Sequence, residues 1–148
     1  MKQVIIILLL LLMSTSLMGC KRKEISDKTF NDFITKLEDK GYKVDAKDVD
    51  RDILAGKRKW LILNDTYNIT IYLYESGEKM EEDASYIDKW GSGYNNGKTA
   101  INISWVSLPH FYKKDNMIVL YVGENTKIIA VIEEIVGEQF AGYKEMNN

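Results

Sequence analysis

The chain reads as an α+β protein: a single antiparallel sheet of four to five strands with about three helices packed on it, in the order α-β-β-α-β-β-α. Three observations predict this. Apolar residues recur at helical spacing in three segments: 27–40, 78–89 and the stretch after Asn125. Between these, 67–74 and 100–106 alternate with period two, and 117–122 is continuously apolar. Finally, two hairpins separated by helices do not build an all-parallel sheet, whose neighbouring strands each need a long crossover.

The first helix carries Phe30, Phe33, Ile34 and Leu37 on one face, with Ser26 or Asp27 as its cap and Gly41 as its left-handed stop. A short strand is expected at Tyr42–Val44. The acid-rich stretch 45–52 looks like a cation loop, but an EF-hand needs a central glycine and a closing glutamate. Asp45, Asp48, Asp50 and Asp52 have neither, so a solvated loop is expected. Strand material at Ile53–Leu54 and Lys59–Leu63 surrounds Gly56, and Asn64-Asp65-Thr66 is turn chemistry. In 67–74, Ile69, Ile71 and Leu73 point one way while Asn68, Thr70, Tyr72 and Tyr74 point the other.

The second helix, 78–89, places Met80, Ala84 and Ile87 on one face and loads its first half with acid, which complements the helix dipole. Residues 91–97 read as a flexible loop too glycine-rich to pack. Gly97-Lys98-Thr99 has the ending of a phosphate loop, but the first glycine such a loop needs falls at Ser92. In 100–106, Ile101, Ile103 and Trp105 share a face. Pro109, the only proline, belongs at a strand edge or bulge. Lys113–Asn116 is a turn, and 117–122 the central strand. Asn125 caps the third helix, whose stripe is Ile128, Ile129, Val131, Ile132, Ile135 and Val136, and Gly137 ends it. The tail reads as polar coil.

The first 20 residues carry a different message. Met1-Lys2-Gln3 is a short positive start, and residues 4–13 are unbroken apolar. This run is half of the about 20 residues a membrane span needs, so a secretory signal fits better than an anchor helix. Leu17-Met18-Gly19-Cys20 then resembles the lipobox of bacterial lipoproteins, although Met18 is larger than the residue usual at its position. The resemblance implies cleavage between Gly19 and Cys20 and a diacylglyceryl thioether on Cys20, the only cysteine. The expected organisation is a signal peptide over 1–19, a lipidated cysteine and tether over 20–26, and one domain over 27–148. Two acyl chains suffice for stable anchoring, which places the domain on the outer face of the cytoplasmic membrane. Lys21-Arg22-Lys23 adds contact with anionic headgroups.

Composition narrows the function further. Without Lys2 the mature chain has 19 basic and 22 acidic residues, which leaves no basic footprint for nucleic acid. No internal disulfide is possible with one cysteine. The Lys, Ile and Asn bias points to a low-GC, Gram-positive source. Residues 105–123, from Trp105 to Gly123, together with Gln139-Phe140-Ala141-Gly142, resemble small lipoproteins of Gram-positive spore-forming bacteria. That resemblance supports the localisation and implies no activity.

A complete catalytic set is not evident. His110 is the only histidine, zinc sites take several His or Cys ligands, and the acids fall on helix faces or in loops. No cofactor is therefore expected. Two classes of function remain. One is a membrane-tethered interaction module, with His110, Phe111 and Tyr112 as an aromatic patch for an envelope protein or wall polymer. The other is a small-ligand binder. An exposed aromatic patch favours the first, and a concave pocket of roughly 300 Å³ or more with a few polar groups favours the second.

Overall fold

The computed structural model describes residue 25 and residues 27–144. Helix α1 spans Lys28–Asp39 and buries Phe30, Phe33 and Leu37. It stops at Gly41, whose φ is +85°. There the Tyr42 N–H donates to the Leu37 carbonyl at 3.1 Å and the Gly41 N–H to Glu38 at 2.8 Å, a Schellman closure that glycine permits. Asp27 stands at the N-cap but makes no side-chain cap bond. Ser26 lies outside the described residues.

Strand β1, Val44–Asp48, pairs antiparallel with β2, Lys57–Leu63. The expected strand at 42–44 is thus displaced into the acid-rich stretch. Charged residues suit this place because β1 is a sheet edge whose side chains stay in water. Asp45 pairs with Lys47 at 3.2 Å, and Asp48 with Lys59 at 2.6 Å and Lys57 at 3.4 Å. Residues 53–54 are a bend rather than a strand, although Leu54 is buried. A turn at 64–66, with φ of +50° at Asn64 and +57° at Asp65, leads into β3, Tyr67–Leu73.

Helix α2, Gly77–Ala84, is capped by Ser76, which accepts the Lys79 N–H at 3.3 Å. It ends five residues short of expectation. The 91–97 segment is also not a free loop. Gly93–Asn95 forms β4 and pairs with β5, Ala100–Asn102, in a separate two-stranded sheet. Tyr94 anchors this hairpin, buried and edge-on to Tyr86. The strand expected over 100–106 therefore ends early, and Val106 is wholly exposed.

Strands β6, Pro109–Lys114, and β7, Met117–Val122, join through Asp115-Asn116, a tighter turn than expected. Asn125 caps α3, Thr126–Val136, by accepting the Lys127 and Ile128 N–H groups, and Gly137 ends it at φ +117°. The tail is not coil. Ala141–Gly142 forms β8 against β6.

The main sheet has six antiparallel strands in the order β1-β2-β3-β7-β6-β8. The α+β class and the three helices agree with the sequence reading, but the strand number and element order do not. The helices also divide between the two faces. Helices α1 and α3 cover Leu61, Ile71, Val119 and Tyr112 on one. Helix α2 and the β4–β5 hairpin cover Tyr72, Ile118, Leu120 and Phe111 on the other. The central strands are buried on both sides, which explains why 117–122 reads as a continuous apolar run.

Candidate functional site

The sequence leaves two readings of 109–112: aromatics that fill the core rim beside Pro109, or, on the interaction-module reading, an exposed patch on strand β6. The patch is not exposed: His110 and Phe111 are each 3% exposed and Tyr112 is 0%. The tail pairs with β6 (His110 opposite Gly142, Phe111 opposite Ala141), which makes β6 an inner strand. Alternation then sends His110 and Tyr112 under the α3 face and Phe111 to the opposite core. Tyr72 and Tyr74 are buried as well, while Trp90 is 63% exposed. Cys20 and Gly19 lie outside the described residues.

His110 instead lies at the floor of a cleft of about 690 Å³ between α3 and the tail. Leu108, Ile129 and Ala130 supply an apolar wall, Tyr143 lies at the tail side, and Glu124, Glu133 and Glu138 line the same cleft opposite one lysine, Lys144. The floor is built from two buried polar side chains. His110 Nδ1 is 2.9 Å from Gln139 Oε1, and His110 Nε2 is 3.0 Å from the Gly123 carbonyl oxygen. The Gln139 amide nitrogen donates to the Tyr143 carbonyl at 2.8 Å, which fixes the amide with its oxygen towards the ring. The ring stacks on Tyr121 and meets Tyr143 edge-on. Three chain segments, β6, the β7–α3 junction and the tail, thus meet at one imidazole.

A second cleft, of about 490 Å³, opens beside α2. Its inner wall is Asp83, a buried carboxylate on the last turn of α2. Asp83 Oδ2 accepts the Tyr74 hydroxyl at 2.7 Å and the Ala55 N–H at 2.7 Å, and Oδ1 accepts the Tyr94 hydroxyl at 2.8 Å. A buried carboxylate is tolerated when its lone pairs are filled in this way. Burial, reinforced by the hydrogen bond to Asp83, pushes the Tyr94 phenol up to about 12 and the Tyr74 phenol up as well. Gly56 passes so close that a Cβ there would stand 2.9 Å from both the Tyr72 Cβ and the Tyr74 ring. Arg51, Lys57 and Lys98 stand around the mouth.

The sequence assigns no functional role to Asp83 or to Gln139. Asp83 had a signal: it falls three residues after Met80 and four before Ile87, on the stripe that α2 buries. Gln139 had none, because only the pairing of the tail brings it to His110. Among the described residues, no group of three His, Cys, Asp or Glu side chains is placed to hold a metal ion. No described helix is long and apolar enough to cross a membrane. Comparison with protein-family models, curated proteins and solved structures finds no match to this chain.

Proposed function

We propose that this chain is a lipoprotein held on the outer face of the cytoplasmic membrane by a diacylglyceryl group on Cys20, and that its domain binds a small ligand in the α3–tail cleft. The anchor rests on the signal and lipobox pattern of residues 1–20. The binding reading rests on one observation: an apolar wall meets buried, pre-oriented polar groups in a cleft well above the volume a small molecule needs. Docking of an envelope protein or wall polymer through His110, Phe111 and Tyr112 loses its support, since all three side chains are buried. Three glutamates against one lysine favour a ligand that carries positive charge beside an apolar part.

The test is a thermal-shift screen of apolar amines against the chain from residue 20 bearing Cys20→Ser. A true ligand at a hundred times its Kd adds about 2.7 kcal/mol of stability. Ala130→Trp, which fills the cleft, is expected to abolish that gain. Glu133→Gln with Glu138→Gln should weaken it about tenfold, the effect of about 1.4 kcal/mol. Stabilisation by anions alone would overturn the charge assignment, and a gain untouched by Ala130→Trp would overturn the cleft. The anchor is tested separately: labelled palmitate should enter the wild-type chain in its host and not Cys20→Ser.

A further inference from the structure

The second cleft lies where the tether enters the domain. Ile25, the first described residue, lines it together with Arg51, Lys57 and Lys98. Ile25 is five residue steps from Cys20, and a fully extended chain of that length spans at most about 17 Å. On the lipid-anchor reading proposed above, the Ile25 side of the cleft is therefore held within about 17 Å of the acylated residue.

The charges at the mouth are not balanced where they face outward. Three carboxylates and four cations, Arg51, Lys57, Lys79 and Lys98, line the cleft, an excess of one positive charge. Asp83 is filled by its three donors. Glu75 pairs with Lys79 at 2.6 Å. Glu82 accepts the Tyr86 hydroxyl at 3.1 Å. Lys57 has only a long contact with Asp48, at 3.4 Å, and the exposed side chains of Arg51 and Lys98 have no ion-pair partner among the described residues. The backbone at Lys98 is positioned, because its N–H and that of Thr99 donate to Asn96 Oδ1 at 3.0 and 2.8 Å. A guanidinium and two ammonium groups around a concave, polar mouth match a phosphodiester, to which arginine adds directional hydrogen bonds.

We infer that this cleft is a headgroup site that takes the phosphodiester of an anionic phospholipid of the membrane on which the chain is anchored. The anchor would then fix the distance of the domain from the bilayer, and the headgroup site its orientation. The inference depends on the anchor reading but not on a ligand in the α3–tail cleft.

The experiment is flotation of the chain from residue 20, bearing Cys20→Ser, with vesicles of phosphatidylglycerol or of phosphatidylcholine. Binding is expected to the first only. Arg51→Gln with Lys57→Gln and Lys98→Gln should lower the partition coefficient roughly 100-fold. Lys36→Gln with Lys89→Gln and Lys127→Gln removes the same charge from elsewhere and should lower it only a few-fold. Equal losses in the two triple variants, or equal binding to both lipids, would overturn the site. So would displacement of the protein by inorganic phosphate at unchanged ionic strength, which would make the cleft a site for the free ion. Because the protein floated here has no lipid of its own, the outcome is independent of the palmitate-labelling test of the anchor.

Discussion

Asp83 and Tyr112 are both polar and both inside, yet opposite consequences follow from truncating them. Asp83 is the shared acceptor of two phenols and a backbone N–H. Asp83→Ala strands all three donors, each at about 1–3 kcal/mol. We expect a loss of about 3 kcal/mol or more in urea denaturation. The Tyr112 hydroxyl is buried with no hydrogen-bond partner among the described residues, and burial, together with the nearby Glu133 charge, pushes its pKa up. Tyr112→Phe removes a desolvated group that gains nothing from folding, so it should be neutral or stabilise by up to about 1 kcal/mol. A clear destabilisation in the same assay would show that the hydroxyl has a partner after all. The sequence marked neither role. It showed Tyr112 as one of three unusual neighbours, and strand alternation then dispersed those neighbours between two cores.

At the scale of elements, two glycines at positive φ separate conformation from space. At Gly41 a Cβ would meet nothing within 4 Å, so Gly41→Ala bears only the left-handed backbone cost, about 1 kcal/mol. At Gly142, with φ +102°, a Cβ would fall 2.1 Å from the Pro109 carbonyl oxygen. Gly142→Ala should therefore detach β8 from β6, costing more than Gly41→Ala in thermal unfolding and raising amide exchange across 138–143. Equal costs would mean that the tail is not docked as described. The same contrast explains what could be read beforehand. Helices α1 and α3 were legible because stripe, cap and stop all lie within the segment itself. Strands β1 and β8 were not, because an edge strand owes its conformation to a partner far along the chain. The α3–tail cleft is hidden with β8, since one of its walls is a segment whose sequence reads as coil.

For the molecule as a whole, covering both sheet faces sets its response to alkali. Tyr72, Tyr74 and Tyr94 sit under the α2 face, and burial raises all three phenols above the ordinary value of 10.0. Above that pH the unfolded chain releases phenolic protons that the native state retains, so the native state binds more protons and stability falls as pH rises. The urea midpoint should begin to drop as the pH rises past about 10 and keep falling to about pH 12. Ultraviolet titration should show these phenols resisting ionisation after the exposed ones have lost their protons, and a single step near pH 10 for every tyrosine would contradict their burial. What was not legible at this scale is the two-sidedness itself, since an apolar stripe shows that a helix packs on the sheet but not on which of its faces. The alternating charges of β1 have a consequence of another kind. A six-stranded sheet has two rims that invite a neighbouring copy to add its own strands and polymerise. Here one rim is a strand carrying Asp45, Lys47 and Asp48 in ion pairs, and the other is only two residues long. Charge on one side and brevity on the other discourage that growth, so copies crowded side by side would stay separate molecules rather than seed a fibre.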